Sequence, residues 1–156
     1  MPRRPELKVR AADSGDVPAL LQLYRHLDPD DAVTPFDDAL KNRELLQLYP
    51  GSEIIVGCVD GALVATCTLI VIPNLTRGGA PYALIENVVT DAAHRNKGYG
   101  KAVLKAATEA AWRSGCYKVM LLTGSQRPET LQFYQAAGFE QSKTGFQMRQ
   151  LPPRRS

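Results

Sequence analysis

The chain reads as an α/β protein whose mixed, mostly antiparallel central sheet is flanked by helices, and two stretches carry that reading. Residues 53–59 and 62–72 are rich in β-branched side chains and flank Asp60-Gly61, the strongest short hairpin signal present. An alanine-rich helical run, 98–114, separates two apolar strand runs, 82–90 and 117–123. A strand, a crossover helix and a strand of this length make a parallel, right-handed unit. At 156 residues the hairpin and the parallel unit fit one domain around one core.

The elements follow in order. Lys8 to Ala11 is a short first strand, and Asp13 or Ser14 N-caps a helix whose apolar positions are Val17, Leu20, Leu21, Tyr24 and Leu27. After the acidic turn Asp28-Pro29-Asp30-Asp31, Thr34-Pro35 caps a second helix that runs to about Tyr49 and is stopped by Pro50-Gly51. Beyond the hairpin, Pro73 to Pro81 with Gly78-Gly79 reads as a mobile loop. In the 98–114 helix Val103, Leu104, Ala107, Ala110 and Ala111 face inward, and Lys101, Lys105 and Glu109 outward. The strand at 117–123 is nearly all apolar, which predicts burial on both faces. Pro128 to Ala137 is a further helix, and Phe139 to Gln150 supplies the last one or two strands. No internal repeat or low-complexity segment is present.

Composition excludes several classes. The formal charge of +3 is mild, basic residues are scattered and no aromatic-basic stripe exists, which argues against nucleic acid as a partner. The basic ends, within 1–6 and 152–156, read as frayed, solubilising tails. Cys58, Cys67 and Cys116 are odd in number and lack metal-ligand spacing, so they read as reduced core residues in a cytoplasmic protein with no metal. No signal peptide is visible and no apolar run approaches the ~20 residues of a membrane helix, so the expectation is a soluble, intracellular protein without a membrane partner. His26 and His94 lack a metal or nucleophile partner in the sequence and read as solvated structural residues.

The stretch from Ile85 to Lys101 says most about function: a strand, a loop closing with Arg95-Asn96-Lys97-Gly98-Tyr99-Gly100, then a helix start. Two glycines leave the backbone bare where unpaired amides and the positive end of the helix dipole converge, a mouth suited to a phosphate or pyrophosphate. A Walker loop needs a glycine five positions before Gly100-Lys101 and a hydroxyl after it, but Arg95 and Ala102 stand there. A dinucleotide fingerprint needs a third glycine, where Val103 stands, and a carboxylate ending the next strand, which is missing.

What remains, Arg-x-x-Gly-x-Gly after a strand, resembles the acyl-CoA loop of the GNAT family of N-acetyltransferases. A second motif, Phe133-Tyr134-Gln135-Ala136-Ala137-Gly138-Phe139, resembles the helix-end signature of the same family. Motifs and spacing together span residues 82–150. The resemblance implies that two parallel neighbouring strands splay so that acetyl-CoA wedges between them. It implies pyrophosphate contacts from the amides of Asn96, Lys97, Gly98, Tyr99, Gly100 and Lys101, with charge from Arg95 and Lys97, and pantetheine contacts from the strand edge at Val88, Val89 and Thr90.

Acetyl transfer to an amine needs a neutral amine, and a primary amine near pKa 10.4 is neutral about once in two to three thousand molecules at pH 7, a deficit of about 4.5 kcal/mol. Glu86 is the lone ionisable group on its strand, and alternation places it with Leu84, Val88 and Thr90. Burial there would raise a carboxyl toward a useful base. Glu86 as base, as water-positioner and as substrate orienter all stay open. Tyr134 matches the family tyrosine that protonates the leaving thiolate, with packing of its helix as the structural alternative. The chain departs from the family pattern at Arg127 and Thr130, where Asn and Ala are common, so Ser125 or backbone replaces the usual cofactor contact. Arg127 and Arg77 are candidates to bind an anionic acceptor, since the 115–118 segment resembles phosphosugar acetyltransferases and the Arg127 setting aminoalkylphosphonate ones. The implied activity is direct transfer from acetyl-CoA to the primary amine of a small molecule. A non-catalytic acyl-CoA-binding domain and transfer to a protein or peptide stay as alternatives. Small members of this family often dimerise through end strands, which leaves a homodimer open.

Overall fold

A computed structural model describes residues 2–153, so Met1 and residues 154–156, parts of the expected tails, lie outside the described residues. The chain divides after Leu121 into two compact units.

The first unit holds five strands, β1 (Leu7–Ala11), β2 (Glu53–Val59), β3 (Ala62–Ile72), β4 (Tyr82–Thr90) and β5 (Val119–Met120), in spatial order 1-2-3-4-5. All neighbours are antiparallel except β4 and β5, which are parallel, as the crossover unit requires. The hairpin between β2 and β3 turns on Asp60 and Gly61, both with positive φ (49° and 79°), the backbone that makes Asp-Gly a hairpin signal.

Helix α1 (Val17–Tyr24) starts behind a tight turn that Asp13 caps: the Asp13 carboxylate accepts from Gly15 N–H at 2.9 Å, and the Asp16 carboxylate from Asp13 N–H at 2.8 Å. Arg10 reaches across from β1 to grip Asp16 with both guanidinium nitrogens, at 2.6 and 2.9 Å. Helix α2 (Phe36–Leu46) has Pro35 at its N-cap with no side-chain bond, and it stops before the expected Tyr49. Arg43 ties it to the sheet by donating to the Ala12 carbonyl at 3.0 Å.

Helix α3 (Tyr99–Arg113) packs one side of the sheet as its periodicity predicts, with Val103, Leu104, Ala107 and Ala111 fully buried. Close approach is permitted by Gly57, where an added Cβ would lie 3.3 Å from Val103, and by Cys67, whose Sγ donates to the Val103 carbonyl at 3.6 Å. Burial pushes the Cys67 thiol up to about 12, so it behaves as a small apolar residue. On the other side Leu20 of α1 packs with Ala12 and Val56, and Tyr24 and Ile54 extend the cluster.

Two expectations are corrected, both of them strands. The strand expected at 117–123 shrinks to Val119–Met120 and is half-buried rather than buried on both faces, because only β4 pairs with it. The loop at 73–81 has an internal frame, since the Asn74 amide donates to Thr76 O, Thr76 Oγ1 and Ala80 O at 3.2, 2.9 and 3.2 Å. The second unit contains helix α4 (Pro128–Ala136) but no strand among described residues 139–153; Phe146 and Met148 are 92% and 100% exposed, so this run has neither a ladder partner nor a buried face. Among the described residues no helix is long and apolar enough to cross a membrane.

Replacing Asp16 with Ala removes both the cap and the Arg10 pair and is expected to cost about 1 kcal/mol in urea unfolding at pH 7. Arg10 holds the Asp16 carboxyl below its usual range, so its contribution is present above the unfolded pKa and is lost as pH falls through the folded one. The gap between wild type and variant should therefore narrow as pH falls below about 4; a constant gap down to pH 2 would contradict this account of the helix start.

Candidate active site

The site is built on β4. Its register against β3 passes from Thr68↔Glu86 to Thr66↔Val89, so two steps on β3 are matched by three on β4. One extra residue is inserted, a β-bulge, and Asn87 takes up the left-handed backbone it needs with φ 52°. Asparagine tolerates that conformation better than most residues.

The bulge overturns the expected alternation. Cross-strand partners share a face, so Glu86 lies with Thr68, and Val89 lies with Thr66 on that same side. Thr90 pairs with Ala65 and turns to the opposite side, with Ile85 and its partner Leu69. Glu86 is therefore companion to Leu84 and Val89, not to Thr90. It is also exposed, not buried among apolar neighbours, because the bulge bends the strand and leaves the carboxylate at the rim. Thr68, its register partner, is buried and bonds the hydroxyl of Tyr24 from α1; burial raises that phenol, with the Thr68 bond opposing.

β4 and β5 pair only at Ala83↔Val119 and Leu84↔Met120. From Ile85 to Thr90 no strand among the described residues pairs with the second edge of β4, the edge to which Val88 and Thr90 turn their backbone groups. Beyond Thr90, Asp91 caps a tight turn (Ala92–His94) by accepting from Ala93 N–H at 2.8 Å. Arg95 then donates Nε to the Thr90 carbonyl at 3.4 Å, Asn96 adopts φ 61°, and Gly98 adopts φ 81° as the N-cap of α3. No side chain caps this helix, and a Cβ added at Gly98 would meet nothing within 4 Å. The first amides of α3 thus point into open space flanked by exposed Arg95, Lys97 and Lys101. An open strand edge leading to an uncapped, electropositive helix mouth fits an amide-bearing chain that ends in a pyrophosphate, which is acetyl-CoA in form.

Both histidines, read as solvated structural residues in the sequence, are partly exposed and meet at Asp91: His26 Nε2 lies 3.7 Å from Oδ2 and His94 Nδ1 3.6 Å from Oδ1. The Ala93 amide, with His26 and His94 adding to it, holds the Asp91 carboxyl below its usual range. His94 leans toward Tyr99, with ring centres 6.3 Å apart. The sequence signal was Asp91-x-x-His94, a local spacing that says nothing of distant His26.

Arg77 lies at the other end of β4. Its guanidinium sits over the Tyr117 ring at 5.4 Å, and Lys118 lies 5.4 Å from the rings of both Tyr82 and Tyr117. In the second unit, Ser125 Oγ bonds Thr130 Oγ1 at 3.2 Å and accepts from the Arg127 amide at 3.3 Å, which leaves the Arg127 side chain exposed at the start of α4. Tyr134 is half-buried, edge-on to Phe133 and Phe139 at 5.1 and 6.5 Å. Among the described residues no group of three His, Cys, Asp or Glu could hold a metal ion.

The sequence profile of the Acetyltransferase (GNAT) family matches residues 17–139. Glucosamine 6-phosphate N-acetyltransferase of Trypanosoma brucei brucei is 31% identical over 136 residues, which span 86% of this chain and 89% of that protein. Among solved structures, a putative acetyltransferase from Agrobacterium tumefaciens str. C58 superposes with a TM-score of 0.86 at 48% identity, covering 92% of this chain and 99% of that one. Glucosamine-6-phosphate N-acetyltransferase from Arabidopsis thaliana gives a TM-score of 0.79 at 25% identity, covering 94% and 98%.

The bulge gives a direct test. Asn87→Val places a β-branched residue where φ is positive, and Asn87→Gly keeps the conformation accessible. Acetyl-CoA affinity measured by calorimetry should fall about tenfold or more in the valine variant, the cost of backbone strain of 1–3 kcal/mol, and stay within threefold in the glycine variant. Equal affinities would show that the bulge does not shape the binding edge.

Proposed function

The chain belongs to the GNAT family of acetyltransferases, and from that premise we propose that it moves the acetyl group of acetyl-CoA to the primary amine of a small phosphorylated amine, glucosamine 6-phosphate or a close analogue. The observation that carries this reading is the open edge of β4 running into the uncapped mouth of α3, beside the exposed carboxylate of Glu86. The acceptor class rests on the relatives named glucosamine 6-phosphate N-acetyltransferase, which match most of this chain.

Acetyl-CoA supplies a thioester whose carbonyl accepts the amine. The strand edge at Val88, Val89 and Thr90 holds the pantetheine amides, the amides of Asn96 through Lys101 hold the pyrophosphate, and Arg95 and Lys97 add charge. Glu86 takes the proton of the amine directly or through a water; its place at the rim lets a solvated acceptor reach it. Tyr134 supplies the proton to the departing thiolate, since a phenol near pKa 10 can protonate a thiolate whose conjugate acid lies near 8.5. Arg77 and Arg127 are the candidates for the acceptor phosphate, and Ser125 for the cofactor contact that an asparagine makes elsewhere in the family. The family match crosses Leu121, which supports both units as parts of one catalytic domain. Three unpaired cysteines fit a reducing cytoplasm.

Release of free CoA thiol tests the reading with a panel of glucosamine 6-phosphate, glucosamine, aminoalkylphosphonates, polyamines and peptides. Turnover is expected only on phosphorylated or phosphonate amines; tight acetyl-CoA binding with no turnover on any amine would favour a binding domain. Glu86→Gln should lower kcat/KM about a hundredfold, most at low pH, within the range for a lost general base. Tyr134→Phe should lower kcat with little change in acetyl-CoA affinity, and wild-type turnover in that variant would remove the tyrosine from the mechanism.

A further inference from the structure

The chain has two histidines, one just past α1 and one in the loop before α3, 68 positions apart (94 − 26), and both end within 4 Å of the Asp91 carboxylate. His26 does more than approach. Its Nδ1 accepts from the Ala92 amide at 3.3 Å, which turns Nε2 toward Asp91 Oδ2. Asp91 in turn caps Ala93. His94, whose Nδ1 is buried without a hydrogen bond, spans from Asp91 to Tyr99, the first residue of α3. The turn is thus held at its entrance by α1 and at its exit by α3.

The segment so held is costly to order. Residues 95–98 are exposed, and Asn96 and Gly98 both take positive φ. Fixing one backbone residue costs roughly 1–2 kcal/mol, and a loop already fixed binds its ligand without that loss. The groups acting on Asp91 are His26 from the end of α1 and His94 and the Ala93 amide from its own turn. The neighbouring Arg95 is directed instead to the Thr90 carbonyl.

We propose that Asp91, clasped between His26 and His94, is a positioning residue that pre-forms the loop for the cofactor pyrophosphate, and that His26 makes the end of α1 part of that support. This rests on the reading of residues 95–101 as the pyrophosphate loop. It assigns a role to three side chains that touch neither reacting group.

The test uses the full chain with His26→Ala, Asp91→Ala and Asp91→Asn, the last keeping an acceptor for Ala93 N–H. Amide exchange without ligand should speed up at 92–99 in His26→Ala and Asp91→Ala while α3 stays protected. The Kd and KM for acetyl-CoA should rise about fivefold or more, the equivalent of ordering one loop residue, with kcat within twofold, and Asp91→Asn should recover part of the loss. Wild-type binding of acetyl-CoA with unchanged Kd and exchange in His26→Ala and Asp91→Asn, both conservative enough to fold, overturns the clasp alone. No acetyl-CoA binding by wild type overturns both the clasp and the loop assignment.

Discussion

One residue too many on β4 is the constraint from which the site follows. β3 lies between β2 and β4, and its residues 64–69 are buried without exception. Against β3 the extra residue lies on β4, and Asn87 takes it up with φ 52°. That single turn of backbone puts Glu86 and Val89 on one face and bends the strand where β5 has already ended. A regular β4 with a full-length parallel neighbour would offer neither an open edge nor an exposed carboxylate.

The rest of the first unit holds this irregular element still. α3 is anchored by fully buried Val103, Leu104, Ala107 and Ala111, and its register over the sheet is set by the close approach at Gly57 and Cys67. Its exposed N-terminal mouth is therefore fixed to the same sheet that carries β4. On the other face α1 starts from the Asp13–Asp16 box, ends with Tyr24 over Thr68, and is followed by His26 on Asp91. One helix thus reaches both the strand beside Glu86 and the turn before the helix mouth. A binding loop positioned by a rigid scaffold is the usual way a loop acquires function.

Much of this was legible from residue types. Asp60-Gly61 dictated a hairpin, the two glycines at 98 and 100 a bare helix mouth, and the alanine-rich run between two apolar strands a parallel pair, because each rests on local geometry. The bulge was not, since strict alternation was assumed and register depends on the neighbouring strand; polar Asn87 in an apolar run was the available sign. The exposure of Glu86 followed from the same omission. The meeting of His26, Asp91 and His94 is a tertiary event with no local pattern beyond Asp91-x-x-His94. The absence of strand among described residues 139–153 reflects pairing as well: Phe139, Phe146 and Met148 are few, and the last two are too exposed to pin an edge strand.

The central claim is that the edge of β4 past Leu84 and the mouth of α3 form one binding surface. Backbone amide shifts followed by NMR as CoA is titrated into the full chain test it most directly. The account predicts the largest changes at Val88, Thr90 and Asn96 to Lys101, with little at Tyr82 and Ala83, where β5 covers the edge. Changes centred on Tyr82, Tyr117 and Lys118 with the 96–101 amides unmoved would contradict it.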